Sequence, residues 1–226
     1  MSSNTAIISA DHVTKSYKGD GQTVAALSDT SLVAEAGEIV WLHGESGSGK
    51  TTLLNVIGLL TPADTGTLTL CGEPVTWTSM SVVTKQRRRL IGFVFQSHNL
   101  VGWLDSLDNA LLATDRSARD RAFGLLSDLG LADRVHMQSR RLSGGEQQRV
   151  AIVRAIINHP PIVLADEPIS GLDDAVAARV LEALVRIARD GTCVVIASHQ
   201  ALVGQYCTRE VRMSHGHQAA RRGSLS

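Results

Sequence analysis

The sequence predicts an α/β fold with a mostly parallel sheet, an antiparallel β subdomain and a helical insert. Three observations predict it. The runs PIVLADE (161–167) and TCVVIASH (192–199) are continuously apolar, as strands buried on both faces of a parallel sheet must be. Residues 5–42 break instead into short strands separated by turns. From about 104 to 140, Leu107, Leu111, Leu112, Leu125, Leu126 and Leu129 recur at helix-like spacings.

The elements follow in order. Residues 5–17 contain a strand with an aromatic at its end, 19–22 form a polar turn, and 24–35 form a second strand. After a turn at 36–37, the apolar run EIVWLH leads into a glycine-rich loop and then the helix TTLLNVIGLL. TPADTG (61–66) breaks the chain, TGTLTLCG alternates like a strand, and IGFVFQ (91–96) is strand-like. Residues 175–189 read as a crossover helix between the two buried runs, and the polar tail HQAARRGSLS is expected to fray.

Bulk composition narrows the function classes. The 226 residues are 43% apolar, enough for a sizeable core, with Lys+Arg and Asp+Glu balanced at 22 each. The balance offers no hint of a nucleic-acid partner. The basic clusters 85–89 (KQRRR), Arg140-Arg141 and Arg221-Arg222 read as solvated faces. Cys71, Cys193 and Cys207 form neither a CxxC pair nor a disulfide ladder, which points to a reducing compartment. The start MSSNTAIISADH has no signal-peptide pattern. No apolar run approaches the roughly 18 residues of a membrane span. The chain is expected to be soluble by itself, with any membrane role coming through a partner.

The glycine-rich loop carries the first chemistry. GESGSGKT (44–51) fits the phosphate-loop pattern G-x-x-x-x-G-K-[ST]. Gly47 and Gly49 would let backbone N–H groups turn towards phosphate oxygens, and the following helix adds its positive end. Lys50 would bridge the β- and γ-phosphates, and Thr51 would ligate Mg²⁺. A flexible Gly/Ser turn does not explain lysine and threonine at a strand-to-helix junction, so ATP or GTP binding is the expectation. The candidate contacts are Gly44, Glu45, Ser46, Gly47, Ser48, Gly49, Lys50, Thr51 and Thr52.

Other candidates gather at strand ends, where ligands of parallel α/β sheets collect. Asp166 and Glu167 close PIVLADE. Alternation predicts that they face opposite sides of the sheet, with Asp166 reaching Mg²⁺ and Glu167 polarising water as general base. His199 ends the neighbouring run and would approach the same γ-phosphate. Gln96 ends IGFVFQ, where it contacts Mg²⁺ or the water or is simply a surface polar residue. Tyr17 is either a stacking partner for adenine or an ordinary edge-strand aromatic.

LSGGEQQR (142–149) is the second informative segment. Ser143 and Glu146 have capping-box spacing ahead of the apolar-faced RVAIVRAII. Leu142 precedes the cap, and Gly144 and Gly145 occupy the first turn, where each glycine costs up to about 1 kcal/mol relative to alanine. A cap does not need them, whereas close approach of a phosphate to bare N–H groups does. A second protomer is the natural source of that phosphate.

With these motifs in place, the chain resembles the ATP-binding-cassette ATPases from about residue 8 to 216. Tyr17 matches the aromatic loop, 44–51 Walker A, Gln96 the Q-loop, 142–149 the signature, 162–167 Walker B, 170–173 the D-loop and His199 the switch histidine. The resemblance implies a P-loop NTPase core in one ATPase domain over 1–226. A RecA-like core plus β subdomain would cover about 5–96 and 151–216, a helical subdomain 97–150 and a flexible tail 217–226. It also implies ATP and Mg²⁺, with Thr51, Gln96 and Asp166 as metal contacts and Glu167, His199 and Gln96 as the catalytic set. Cassettes of this family pair head to tail, so Ser143 and Gly145 would reach the partner's γ-phosphate and Asp173 would align the interface.

GESGSGKTTLLNVIGLL and IGFVFQSHNLV look most like cassettes that serve FtsX-type or macrolide-exporter-type permeases, among them lipoprotein-release, antimicrobial-peptide and haem-export systems. The implied assembly is a homodimer of cassettes with a separate transmembrane permease. It would sit at the cytoplasmic face of the membrane, drive export and involve no nucleic acid. A soluble cassette ATPase acting on DNA or ribosomes is the alternative. Two departures stand out: Ile169 replaces a usual Ser or Thr, and LLATDRSARDRA is a shortened version of the usual helical insert.

Overall fold

The computed structural model describes residues 6–19, 22–214 and 216–220. Part of the expected 19–22 turn, Arg221-Arg222 and the remaining tail therefore lie outside the described residues. The chain opens with two long strands, β1 (Ala6–Gly19) and β2 (Gln22–Glu35), followed by β3 (Ile39–His43) and α1 (Lys50–Ile57). Next come β4 (Thr65–Leu70), β5 (Glu73–Pro74), α2 (Met80–Leu90) and β6 (Ile91–Val94). The helical part holds α3 (Ser106–Leu111), α4 (Arg119–Asp128) and α5 (Gly144–Ile156). The chain then alternates through β7 (Ile162–Asp166), α6 (Asp174–Arg189) and β8 (Cys193–Ala197), and finishes in β9 (Arg209–Ser214) and β10 (His217–Ala220).

Two sheets result. β2-β1-β4-β5 is antiparallel, and β10-β9-β3-β8-β7-β6 is parallel except for the β9/β10 pair at its edge. Every residue of β7 and β8 is buried, which explains their unbroken apolar character. Strand alternation sorts these side chains into two cores. Val163, Ala165, Val194 and Ile196 join the core beneath α5, α6 and the helical part. Ile162, Leu164, Val195 and Ala197 join the core shared with α1 and the antiparallel sheet.

The structure corrects two expectations about elements and adds three. Most of residues 5–42, expected as short strands, form the long strands β1 and β2 of 14 residues each, because their antiparallel ladder continues through its bulges. Residues 217–220, expected to fray, form β10 against β9. Ladder hydrogen bonds need only backbone, and Gly216 at φ 75 makes the turn that brings the strand back. The added elements are α2, which carries the 85–89 basic cluster, and the strands β5 and β9.

Candidate functional site

The cleft at the carboxyl edge of the parallel sheet begins with the loop between β3 and α1. Gly44, Gly47 and Gly49 adopt φ of 150, 78 and 96, and Gly49 is the N-cap of α1. A Cβ on Gly44 would lie 2.2 Å from the Met213 carbonyl oxygen, and one on Gly49 would lie 2.4 Å from that of Ala26. These glycines are thus required twice, by backbone region and by space. Lys50 Nζ donates to the Gly44 and Glu45 carbonyls at 2.8 and 2.9 Å, which folds its ammonium over the loop. Gly216 braces the loop from outside: its N–H donates to Ser48 O at 3.2 Å, while its carbonyl accepts from Ser28 N at 2.8 Å and Thr30 Oγ1 at 2.6 Å.

The opposite wall comes from the ends of β6, β7 and β8. One cleft of about 780 Å³ is lined by Tyr17, Gly44 through Thr52, Gln96, Asp166, Glu167, Ser170 and His199, with Val24, Ala25 and Ala26 at the Tyr17 side. Tyr17 is 43% exposed, pairs across the ladder with Val24 and lies with its ring 5.7 Å from Lys15 Nζ. It offers a flat apolar face at the mouth of the cleft.

Asp166 is only 6% exposed, and burial raises its pKa, partly opposed by a hydrogen bond with Thr51. Glu167 differs from the alternation expectation. It adopts φ 48, so its carboxylate is turned into the same cleft as Asp166 instead of the opposite face. There it accepts from Ser198 Oγ at 3.0 Å and His199 N at 3.3 Å, and it meets His199 Nδ1 at 2.9 Å. The Ser198 hydroxyl is a contact that motif reading missed. Its signal was its place in the buried run just before His199.

Five readings from the sequence, those of Tyr17, the phosphate loop, Gln96, the acidic pair and His199, are thus brought together in one place. Leu142, Ser143, Gly144, Gly145, Glu146 and Asp173 are not among the residues lining this cleft. Ser143 and Gly144 are exposed, and Ser143 and Glu146 form a complete capping box on α5. Asp173 caps α6 by accepting from Val176 N at 3.0 Å. A Cβ on Gly145 would lie 2.8 Å from Leu172 Cδ2, so the start of α5 packs directly on the 170–173 loop.

The donor set suits Mg²⁺. Thr51 and the buried Asp166 carboxylate are hard oxygen donors already joined by a hydrogen bond, and Gln96 lines the same cleft. No group of three or more His, Cys, Asp and Glu among the described residues could hold a metal. Mg²⁺ needs none, since it keeps waters and takes one or two protein oxygens beside substrate phosphates.

Residues 27–170 match the family model described as ABC transporter. The chain belongs to that family. It is an ABC transporter ATP-binding subunit, and its activity is ATP hydrolysis. The chain is 41% identical over 219 residues to the lipoprotein-releasing system ATP-binding protein LolD of Rhodospirillum rubrum, covering 93% of this chain and 94% of that one. It is 37% identical over 208 residues to the macrolide export ATP-binding/permease protein MacB of Bdellovibrio bacteriovorus, covering 90% of this chain but 32% of that protein. Among solved structures, a dimeric ATP-binding cassette in a post-hydrolysis state with ADP and Pi superposes with a TM-score of 0.89 at 34% identity. That match covers 96% of this chain and all of the other. This ABC cassette thus shares its fold with a nucleotide-bound dimer, and nothing in these likenesses favours a soluble DNA- or ribosome-directed ATPase.

Proposed function

We propose that the chain works as a homodimer of cassettes, hydrolysing Mg-ATP to drive a separate permease of the FtsX/MacB type at the cytoplasmic face of the membrane. The observation that carries this is the division of the site. The cleft gathers the phosphate loop with Gln96, Asp166, Glu167 and His199, while the capped start of α5 faces solvent elsewhere. A helix N-terminus with bare glycine N–H groups is an anion site, and a second copy supplies the anion.

Each side chain then has a task. The phosphate-loop N–H groups and Lys50 hold the phosphates, and Tyr17 stacks on adenine. Thr51 and Asp166, with Gln96 near, would hold Mg²⁺, which would supply neutralisation of phosphate charge. Glu167, fixed by Ser198 and His199, orients and deprotonates the attacking water. His199 stands beside the γ-phosphate, and Ser143 and Gly145 of the second copy close the site with Asp173 at the interface. Leu142, Gly144 and Glu146 shape that closing element.

Export follows from the LolD and MacB likenesses, with cargo in the lipoprotein, peptide, drug or haem class chosen by the permease. No helix of the described residues is long and apolar enough to cross a membrane, which fits a separate membrane subunit. The test is Glu167→Gln. It should keep ATP binding, lose hydrolysis by roughly two to four orders of magnitude, as other catalytic acid–base groups do, and accumulate as an ATP-dependent dimer by light scattering. A variant that stays monomeric at saturating ATP overturns the shared-site reading.

A further inference from the structure

Arg154, on the last turn of α5, is an unusual cation. Burial lowers its pKa, yet it makes no ion pair among the described residues. Both arms of its guanidinium instead grip backbone, NH1 donating to Asn99 O at 2.6 Å and NH2 to His98 O at 2.7 Å. A half-buried charge on neutral carbonyls is a costly way to fasten a loop, so what it fastens matters.

His98 and Asn99 adopt φ of 61 and 51, two consecutive non-glycine residues in the left-handed region. Such a pair persists only when its surroundings hold it there. Arg154 is one clamp, and a hydrogen bond between the Gln147 amide and the His98 ring is another. Both clamps come from α5. At its far end this helix lies on β6 with no room to spare: a Cβ on Gly92 would be 2.0 Å from Ala155 O. The loop so held begins at Gln96, in the nucleotide cleft, while the start of α5 carries the signature glycines.

We propose that Arg154 is a positioning residue that locks the segment behind Gln96 to the signature helix, so that the two move as one body. Contact of Gln96 with a chain's own nucleotide then sets the attitude of the glycine turn which that chain offers to its partner. One helix would thereby couple the two nucleotide sites. The proposal rests on the shared-site reading above.

The experiment compares Arg154→Met, which removes the charge and both donors at similar length, with Arg154→Lys, which restores a donor. Each is made in the otherwise native chain for kinetics and in the Glu167→Gln chain for dimerisation. The coupling predicts that Arg154→Met lowers kcat and shifts the dimerisation equilibrium by about 5- to 150-fold, the usual range for coupled binding sites. The ATP concentration for half-dimerisation should rise by a similar factor and KM with it, while the ATP affinity of the monomer changes less than about threefold. Arg154→Lys should recover part of both losses. Dimerisation and kcat unchanged by Arg154→Met would overturn the proposal. So would an equal collapse of monomer ATP affinity and melting temperature, which would make Arg154 a fold-maintaining residue only. If Glu167→Gln alone fails to dimerise with ATP, it is the shared-site reading that falls.

Discussion

Glu167 follows the end of β7 with a left-handed backbone, a conformation that costs a non-glycine residue on the order of 1–2 kcal/mol. The fold holds it there with a hydrogen bond from its N–H to Ala197 O at 2.8 Å and with the Ser198 hydroxyl on its carboxylate. Strain at this position is what lets adjacent carboxylates share one cleft. Asp166 beside it gives a pH prediction. Its pKa is raised in the folded chain, so the folded state binds this proton more tightly than the unfolded one. The associated stability is complete below the ordinary aspartate value of 3.8 and is lost as pH rises through the raised value. Asp166→Asn, which carries no such charge, should therefore melt higher than the parent near pH 7.5 without nucleotide, by about 2–4 °C per kcal/mol regained. The gap should narrow towards pH 4, and ATPase activity should be lost; a gap independent of pH contradicts the argument. At this scale the residues that meet in the cleft were largely legible, because a phosphate-loop pattern has fixed residue types at fixed spacing and the other candidates end buried strands. The aim of Glu167 was not, because alternation ends where φ changes sign.

At the scale of elements, α5 separates what a helix needs from what a binding site needs. Its capping box is complete, and a Cβ on Gly144 would meet nothing within 4 Å. Gly144→Ala should therefore stabilise the free chain by about 0.5–1 kcal/mol through helix propensity, seen as a higher urea midpoint. On the proposed shared site the same substitution should weaken ATP-driven dimerisation, because the new methyl would stand between the N–H groups and the partner's phosphate. Stabilisation with undiminished dimerisation would remove Gly144 from the interface. Elements were legible where periodicity was dense. α2 escaped because only Val83 and Leu90 are buried, two turns apart, with the KQRRR charges between them. β9 alternates with Val211 and Met213 inward, a short pattern that was available but unread. β10 left no side-chain signal, since a polar edge strand is held by its backbone.

For the whole molecule, the buried strands determine both cores, and the layered α/β class was legible because a two-sided core demands unbroken apolar runs. Leu164 is fully buried in the core shared with α1 and the antiparallel sheet. Leu164→Ala should cost about 2–5 kcal/mol in denaturant unfolding, and a loss below about 1 kcal/mol would mean that this core is loosely packed. What the sequence left hidden was the order of the strands. β3, which carries the phosphate loop at its end, lies between β8 and β9, and the loop is braced by Gly216. Domains fold as units while the chain leaves the ribosome, at roughly 5–20 residues per second. The phosphate loop at 44–51 is made well before β8, β9 and the Gly216 brace, which all lie beyond residue 190. A nascent or truncated chain thus displays the nucleotide motif without the sheet that shapes it. Competence to bind ATP becomes a report that translation has passed Gly216.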